Sequence, residues 1–336
     1  MPQDSHKKIL IVTDNLPEQI NGVVTTYKNI EPFAIRDGYT IHYIHPGRYR
    51  YVDCPKYNEI KLAYPKGLGE EIKTFAPNYI HIATEGFMGL FARRYLTIHG
   101  HRYNTAYHTK FPEGIKAILG IPETLTWPVI RWFHSNSNRV LTTTASMVST
   151  LKSHGFSDNV ISWTRGVDRS IFKPVEKQTK YSKPLLVCVS RVSAEKNLEK
   201  FFDLDYPGAT KIMVGDGPKL KEYQEKYPNI NFVGFKRGEE LAHYYQQADV
   251  FVFPSRWDTF GLVMIEAMAC GTPVAAYPVQ GPLDVIDDGL TGYMRDDLRS
   301  AVDLCLALDR NIVYNQSLRW SWERAWEIFR DNLVEI

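Results

Sequence analysis

The feature that most restricts the fold is a pair of consecutive series of short apolar segments, separated by stretches with helical periodicity. Segments that are apolar at nearly every position are typical of strands in a parallel sheet that helices cover on both faces. The first series comprises Lys8–Thr13, Thr40–His45, Tyr79–Ala83, Asn104–His108, Arg139–Thr144 and Val160–Thr164, and the second comprises Leu185–Ser190, Lys211–Gly215, Ile230–Phe235, Asp249–Pro254 and Pro273–Tyr277. The sequence therefore predicts an α/β protein with two doubly wound parallel sheets.

The chain of 336 residues is long enough for two domains of about 150 residues each. We expect a first domain at residues 1–168, a second at 169–315 and a terminal helix at 316–336. The charged stretch Asp168–Lys183, which contains Pro174, is predicted to be the linker. Ligands of doubly wound domains bind at the carboxyl ends of the strands, so we expect the site in a cleft that both domains face.

The net charge of +2 is unevenly distributed. Residues 1–168 hold 19 Lys/Arg against 14 Asp/Glu, whereas residues 169–336 hold 21 against 24. The basic first half is either a solvated face or a surface for an anionic acceptor or membrane. The basic residues are densest around Arg93, Arg94, Arg102, Lys110 and Lys116.

The composition is that of a globular protein, with 44% hydrophobic and 23% charged residues. The sequence contains no apolar stretch of about 18 residues and no signal-peptide core, so a cytoplasmic location is expected. The four cysteines are far apart and are predicted to be reduced thiols. We expect no nucleic-acid partner.

The segment Pro254–Val274 carries the clearest chemical signal. It follows an apolar run, passes through a loop ending at Gly261 and continues as a helix that contains Glu266. Free amides and a positive dipole end would lie beside two carboxylates, those of Asp258 and Glu266. Amides suit phosphate groups and carboxylates suit hydroxyl groups, so this arrangement fits a sugar nucleotide.

Two cations follow the first strand of the second series. Arg191 ends that strand, and Lys196 lies at the start of a helix predicted to begin near Ser193. They are either solvated surface charges or a diphosphate site, because a leaving nucleoside diphosphate gains negative charge as the glycosidic bond breaks. The next strand is followed by the turn Gly215–Pro218, and Leu220 occupies the place of the third glycine in a dinucleotide fingerprint. A nicotinamide dehydrogenase is therefore disfavoured.

These segments resemble the motifs of retaining glycosyltransferases of family GT4, which have the GT-B fold of two Rossmann-like domains. Asp258–Glu266 is similar to the D/E-x7-E region, although Asp stands where many members have Glu. Other matches keep their order and span about residues 9–330: Asn21-Gly-Val, Tyr107-His-Thr, Arg165-Gly-Val-Asp168, Arg191–Asn197 with Ser190 in place of a glycine, and the G-x-G-P turn at Gly215. Within this family, the chain resembles the branch of GDP-mannose-dependent α-mannosyltransferases and of sulfoquinovosyl- and glucosyl-diacylglycerol synthases.

The resemblance implies a role for each matching residue. Glu266, expected two turns inside its helix, binds the ribose diol, and Asp258 binds sugar hydroxyls. His108 contacts the transferred sugar near its anomeric carbon; a buried core histidine is the alternative. The implied catalytic residues are His108, Arg191, Lys196 and Asp258; the donor-binding residues are Gly22, Arg165, Gly215, Gly217, Thr259, Phe260, Gly261, Leu262 and Glu266; and Glu85 and Lys110 are on the acceptor side. The terminal helix is expected to pack back on the first domain through Trp322 and Phe329.

The implied reaction is retaining transfer of a hexose from GDP-mannose or a UDP-hexose to a hydroxyl of a lipid or glycan. The leaving phosphate would serve as the base, so no cofactor and no metal are expected. Asp203-Leu-Asp205 is a D-x-D sequence but lies in a polar segment away from a strand end. A nucleotide-sugar 2-epimerase and a non-catalytic sugar-nucleotide binder are the alternatives.

An aromatic and basic cluster lies in the first domain. It comprises Trp127, Ile130, Arg131, Trp132 and Phe133. It is either a peripheral membrane contact or part of a core helix.

Overall fold

The computed structural model describes residues 6–54, 57–176 and 184–336. It divides the chain into two units, of which unit 1 contains Met1–Arg165 and Trp322–Ile336, and unit 2 contains Gly166–Ser321. The beginning of the predicted linker Asp168–Lys183 belongs to unit 2, where Phe172 is buried in the core. Residues 177–183 of that linker lie outside the described residues.

Unit 1 alternates strands and helices along the chain. Its strands are β1 (Lys7–Val12), β2 (Tyr39–Ile44), β3 (Tyr51–Cys54), β4 (Tyr57–Ala63), β5 (Tyr79–Ile82), β6 (Asn104–Tyr107), β7 (Arg139–Thr142) and β8 (Val160–Ser162); its helices are α1 (Gly22–Arg36), α2 (Leu68–Phe75), α3 (Phe87–Ile98), α4 (Phe111–Leu119), α5 (Glu123–His134) and α6 (Ala145–Ser153). The main sheet is parallel, in the order β2-β1-β5-β6-β7-β8. Ile9, Leu10, Ile11 and Val12 are fully buried, because helices cover both faces of the sheet.

Strands β3 and β4 form a separate antiparallel pair that the sequence analysis missed. Tyr51 and Val52 of β3 are exposed, so this pair does not have the continuous apolar run that identified the buried strands. A two-stranded ribbon with polar side chains gives little periodic signal.

Unit 2 repeats the same architecture. Its strands are β9 (Leu185–Val189), β10 (Thr210–Val214), β11 (Asn231–Gly234), β12 (Val250–Phe253), β13 (Val274–Ala276) and β14 (Gly292–Met294); its helices are α7 (Glu199–Phe202), α8 (Leu220–Lys226), α9 (Gly238–Gln247), α10 (Leu262–Ala269), α11 (Pro282–Val285), α12 (Leu298–Cys305) and α13 (Arg310–Ser317). The sheet is parallel, in the order β11-β10-β9-β12-β13-β14. The short strand β14 was not predicted; it begins with a glycine, and Tyr293 and Met294 are only partly buried, so it lacks the fully buried apolar run of the neighbouring strands.

The last helix of the chain, α14 (Trp322–Asp331), packs on unit 1. The indole nitrogen of Trp163 donates to the Ala325 carbonyl at 2.8 Å, and that of Trp326 donates to Asp37 at 2.8 Å. Phe329 is buried against the rings of Tyr27 and Trp163. The expected return of the terminal helix to the first domain is therefore confirmed.

The predicted fold class is confirmed, because both sheets are parallel and covered by helices. The predicted strands overlap the observed ones, but their polar last residues belong to the following loops. His108 and Ser190 are examples, and this places them at the carboxyl ends of β6 and β9. Among the described residues, none of the helices is long and apolar enough to cross a bilayer.

Candidate active site

The strand order of unit 2 creates a switch point between β9 and β12. The chain runs from β9 outward to β10 and β11, then returns to the other side of β9 to form β12. The chain leaves these two neighbouring strands in opposite directions, which opens a crevice at their carboxyl ends. Doubly wound domains bind their ligands in this crevice. Lys196 follows β9 and Asp258 follows β12, so both lie beside this crevice.

Lys196 and Asp258 are hydrogen-bonded to each other. The distance from Lys196 Nζ to Asp258 Oδ1 is 2.7 Å, and both side chains are about one-fifth exposed, at 22% and 21%. From the sequence, we expected Lys196 to bind the diphosphate and Asp258 to bind the sugar of one ligand. The structure brings them together as a partly buried ion pair.

Lys196 is held by a short turn and not by an α-helix starting near Ser193, as was predicted. Ala194–Lys196 forms one turn of 3-10 helix, and Asn197 then adopts a left-handed conformation with φ of 54°. The Asn197 side-chain amide donates to the Pro254 carbonyl at 3.1 Å, which ties the turn to the end of β12. This contact between two strand ends fixes where the ammonium group lies.

Arg191 is exposed at the end of β9, in a loop that contacts the Gly215–Pro218 turn. The Val192 amide donates to the Asp216 carbonyl at 2.8 Å. A Cβ atom at Gly215 would lie 1.9 Å from the Ser190 carbonyl oxygen, and one at Gly217 would lie 2.4 Å from that of Val192. Close packing of the two loops therefore accounts for both glycines, whether or not they also contact a donor.

The loop after β12 leads directly into α10. Thr259 and Phe260 are buried, and the Phe260 ring packs edge-on against Trp320 with centroids 5.3 Å apart. Gly261 precedes the helix with φ of 85° and carries no side chain that could cap the amides of Leu262 and the next residue. The main chain of this loop, and not its aromatic side chain, is the part suited to an anionic ligand.

Glu266 is the fifth residue of α10, one helical turn from its start and not two as expected. It is partly buried, and its Oε2 accepts a hydrogen bond of 3.0 Å from the hydroxyl of the fully buried Tyr245. Burial raises the pKa of Glu266 to about 7, while the Tyr245 hydrogen bond acts in the opposite direction. No sequence signal identified Tyr245 as its partner.

His108 lies in unit 1, immediately after β6, and is partly buried among polar groups. Its Nδ1 is 2.9 Å from the Arg165 guanidinium, and its Nε2 is 3.2 Å from the Tyr27 hydroxyl. The Tyr27 hydroxyl is also 2.7 Å from Nε2 of His81, which is fully buried on β5. Burial and the Arg165 charge hold the pKa of His108 well below its usual value.

Tyr27 and His81 are further partners that the sequence analysis missed. A histidine inside the apolar run Tyr79–Ile82 was the available signal, because a buried imidazole requires a polar neighbour.

Arg165 is 3% exposed, which differs from the accessible position that a donor-binding guanidinium needs. Its Nη1 donates to the carbonyls of Trp163 at 2.7 Å and Thr164 at 3.0 Å. Its guanidinium carbon also lies 4.5 Å from the centre of the Trp163 ring. In the structure, the Arg165 guanidinium therefore binds His108.

The other predicted residues of unit 1 have clear local roles. Asn21 caps α1 by accepting from the amides of Val23 and Val24 at 3.0 Å each, and Gly22 is the first residue of that helix. The Glu85 carboxylate is 8% exposed and lies 3.4 Å from His134 Nε2, inside the unit. Lys110 is partly buried and directly precedes α4.

Helix α5 divides the predicted aromatic cluster between its two faces. Trp127, Ile130 and Phe133 are buried, so the core alternative was right for these three. Trp132 is 52% exposed, and the Arg93 guanidinium stacks 4.0 Å from its ring centre.

Within the described ranges, the structure contains no group of three or more His, Cys, Asp or Glu side chains that could hold a metal ion. Asp203 ends α7, and Asp205 forms an exposed ion pair with Arg299 at 3.4 Å.

Comparison with known proteins identifies the family. The family model of glycosyltransferase family 4 matches residues 20–171, and that of group 1 glycosyl transferases matches residues 170–310. A GDP-mannose-dependent alpha-mannosyltransferase of Mycobacterium tuberculosis is 31% identical over 274 residues, covering 77% of this chain and 70% of the relative. The chain is a family 4 glycosyltransferase. The sulfoquinovosyl transferase SQD2 of Arabidopsis thaliana is 29% identical to this glycosyltransferase, with 79% of the chain and 56% of the relative covered.

Solved structures of low sequence identity show the same fold. The glycosyltransferase matches the sucrose-phosphate synthase of Thermosynechococcus elongatus with a TM-score of 0.76 and 19% identity, covering 97% of this chain and 94% of that one. It matches the Anabaena protein HepE in complex with UDP and glucose with a TM-score of 0.72 and 16% identity, covering 97% and 99%. The GT-B fold is therefore confirmed. The family models and the named relatives show that the activity is glycosyl transfer.

Proposed function

We propose that this glycosyltransferase is a retaining enzyme that moves a hexose from GDP-mannose or a UDP-hexose to a hydroxyl group of a lipid or glycan. The observation that carries the proposal is the Lys196–Asp258 pair of 2.7 Å at the β9–β12 switch point. A cation suited to phosphate and a carboxylate suited to hydroxyl groups lie side by side at one crevice, which supports a sugar-nucleotide donor.

Donor binding exchanges the partners of this ion pair. The diphosphate offers Lys196 a doubly charged partner, and it is bound also by Arg191 and by the uncapped first amides of α10. Asp258, released from Lys196, then accepts hydrogen bonds from the hydroxyls of the sugar. Because Asp258 has a partner both before and after binding, its partly buried charge is compensated in both states.

The ribose is held by Glu266 on α10. An ionised carboxylate accepts both hydrogen bonds of a vicinal diol, and Tyr245 fixes its orientation by donating to Oε2.

Retention follows from attack on the face that the diphosphate leaves. The bond from the anomeric carbon to the diphosphate oxygen breaks, the bond to the acceptor oxygen forms, and the acceptor proton passes to the leaving phosphate. Arg191 and Lys196 stabilise the charge of that phosphate. His108 contacts the sugar as its anomeric carbon becomes electron-deficient. The chain then needs no metal and no dedicated protein base.

The donor and acceptor classes have support from similar proteins. Relatives are named GDP-mannose-dependent mannosyltransferases and an alpha-monoglucosyldiacylglycerol synthase, and a structural neighbour contains UDP-glucose.

The test is a panel of nucleotide sugars, measured by thermal shift and by transfer in the presence of EDTA. A ligand at 100 times its Kd stabilises a protein by about 2.7 kcal/mol, so a correct donor raises Tm clearly. We expect transfer to continue in EDTA and the product to keep the donor's anomeric configuration. Lys196→Ala should lose the shift, whereas Lys200→Ala, an exposed lysine on α7, should keep it.

Three outcomes would contradict the proposal. Activity that is lost in EDTA and restored by Mn²⁺ would indicate a metal-dependent enzyme, with Asp203 and Asp205 as the candidate metal ligands. An inverted product would exclude retention. Release of a free 2-epimer without acceptor would indicate an epimerase.

If the acceptor is a lipid, one surface of the protein is suited to contact the membrane. On the outer face of α5, Leu125, Val129 and Trp132 are 64%, 56% and 52% exposed. Their spacing of four and three residues aligns them as one apolar stripe, and Arg131 is exposed on the same helix. An apolar stripe with basic neighbours fits an anionic membrane surface. We propose that this stripe, not the buried residues of α5, makes the peripheral contact.

Leu125→Ser removes three apolar carbons and, for a fully inserted side chain, is expected to weaken binding to vesicles containing anionic lipid by roughly 50-fold. Each apolar carbon removed from lipid costs about 0.8 kcal/mol. Ile35→Ser is the matched control, because Ile35 is 63% exposed on α1. Cosedimentation with the vesicles at low and high salt measures the binding of both variants. Equal loss in the two variants, or no vesicle binding by the wild type, would show that α5 is not the contact.

A further inference from the structure

The hydrogen bonds around His108 determine where its proton lies. A guanidinium has donors only, so the 2.9 Å contact with Arg165 requires Nδ1 of His108 to accept. Nδ1 therefore carries no hydrogen. The neutral ring must carry its proton on Nε2.

The same logic fixes the direction of the next two bonds. His108 Nε2–H donates to the Tyr27 oxygen at 3.2 Å. The Tyr27 hydroxyl is then free to donate to His81 Nε2 at 2.7 Å. The opposite direction would require both nitrogens of His108 to accept, which a neutral imidazole cannot do. The three bonds form one directed series from Arg165 through His108 and Tyr27 to His81.

The surroundings also oppose a charge on His108. Arg165 contacts it from the segment after β8 and Tyr27 from α1, and the charges that His81 on β5 and His134 on α5 would carry also act on it. Burial is the main cause of its lowered pKa, followed by the Arg165 charge and the two histidines. His81 is likewise kept neutral, since burial lowers its pKa to about 3.

The rest of unit 1 holds Arg165 in place. Two carbonyls of its own segment bind its Nη1, and the Trp163 ring supports its guanidinium face. Trp163 is itself tied to the Ala325 carbonyl of α14. The terminal helix thereby stabilises the group that orients His108.

We propose that Arg165 and Tyr27 are positioning residues that lock His108 as a neutral imidazole with its proton on Nε2 and its ring plane fixed. The proposal rests on the proposed role of His108 at the transferred sugar. A cationic ring there would repel the positive charge that develops at the anomeric carbon, whereas a neutral ring does not. Fixed orientation matters because small displacements of a group at the reacting centre lower the rate strongly.

The tautomer is measured in the protein alone, without a donor. Nitrogen–proton correlation spectra of histidine-labelled protein distinguish a protonated from an unprotonated ring nitrogen. His108→Gln assigns the His108 signals by their loss. We expect the wild type to show the Nε2–H form with no titration between about pH 6 and 8. An Nδ1–H form, or a charged ring in that range, would overturn the proposal regardless of which substrate the enzyme uses.

Kinetics of Arg165→Met test the positioning role. Without the guanidinium the pKa of His108 should rise, while burial still holds it below its usual value, so the acid limb of kcat should move to higher pH than in the wild type. We expect kcat to fall by about tenfold or more above the limb while KM for the donor changes little. Arg165→Lys, which keeps a charged donor, should restore part of the rate.

Arg93→Met is the matched control. Arg93 is 7% exposed in the same unit, but it donates to the carbonyls of Phe133 and Trp132 and not to a histidine. Arg93→Met should lower the stability of the protein without changing the pH profile of kcat.

Tyr27→Phe is the second variant in case Arg165→Met does not fold. It removes the partner of Nε2–H but keeps the Arg165 contact, so the proton should stay on Nε2 while the ring loses one of the two bonds that orient it, and kcat should fall with little change in KM for the donor. A wild-type kcat in Tyr27→Phe, or an unchanged pH profile in Arg165→Met, would show that these residues only support the fold. If no nucleotide sugar is transferred, the proposed function fails while the spectra still decide the tautomer.

Discussion

Replacing His108 by alanine is expected to lower kcat and kcat/KM for the donor by comparable factors, about 100-fold, through lost positioning at the reacting centre. If the ring touches the sugar only as positive charge develops, it contributes to the transition state and not to ground-state binding. Affinity for the nucleoside diphosphate should therefore change little. Steady-state kinetics measure kcat and kcat/KM with the donor that the panel identifies. Calorimetry measures the affinity for the nucleoside diphosphate.

Two variants sharpen this test. His42→Ala removes a histidine of the same sheet that stacks on Phe75 and contacts Glu71 at 3.0 Å, so it controls for loss of an imidazole. His108→Gln keeps a side-chain donor near the position of Nε2 and should lose less activity than His108→Ala. A folded His108→Ala enzyme with wild-type turnover would establish His108 as a core histidine, the alternative that the sequence left open.

The place of His108 could be predicted, but its environment could not. The apolar run Asn104–Tyr107 identifies a buried strand, and a polar residue directly after such a strand lies at the carboxyl end of the sheet. Its partners Tyr27 and Arg165 lie 81 and 57 residues away in sequence. Only the folded topology brings α1 and the end of β8 to the same ring.

The ion pair of unit 2 illustrates the same limit. Sequence placed Lys196 and Asp258 each at the end of a strand, but these residues are 62 positions apart. They meet because β9 lies beside β12, and the order of strands in a sheet depends on long-range packing that a single sequence does not display. The nature of each group was therefore predictable, whereas their mutual hydrogen bond was not.

The α-helix expected to begin near Ser193 is not formed, and the structure shows the physical reason. Ser193 followed by Glu195 and Lys196 is a plausible helix start, so an α-helix was expected there. Instead, Asn197 turns left-handed and its side chain binds the Pro254 carbonyl. A tertiary hydrogen bond thus overrides local propensity where the chain must place a functional cation.

Replacing Glu266 by alanine is expected to weaken nucleoside diphosphate binding at least tenfold. Loss of a hydrogen bond to a charged group costs about 1.5–3 kcal/mol, and Tyr245, fully buried, would also lose its acceptor. Calorimetry with the nucleoside diphosphate measures the change. Asp205→Ala is the control, because that carboxylate forms an exposed pair with Arg299 and should not affect the nucleotide.

The raised pKa of Glu266 predicts how this affinity depends on pH. With a pKa of about 7, the carboxyl is protonated below that value and ionised above it. Because only the ionised form accepts two charge-assisted bonds from the diol, affinity for the nucleotide sugar should fall as the pH drops through about 7. Glu266→Gln should bind weakly with no such dependence, and Tyr245→Phe should move the midpoint upward, since its hydroxyl lowers the pKa. A nucleotide-sugar affinity that is equal in wild type and Glu266→Ala would place the ribose elsewhere.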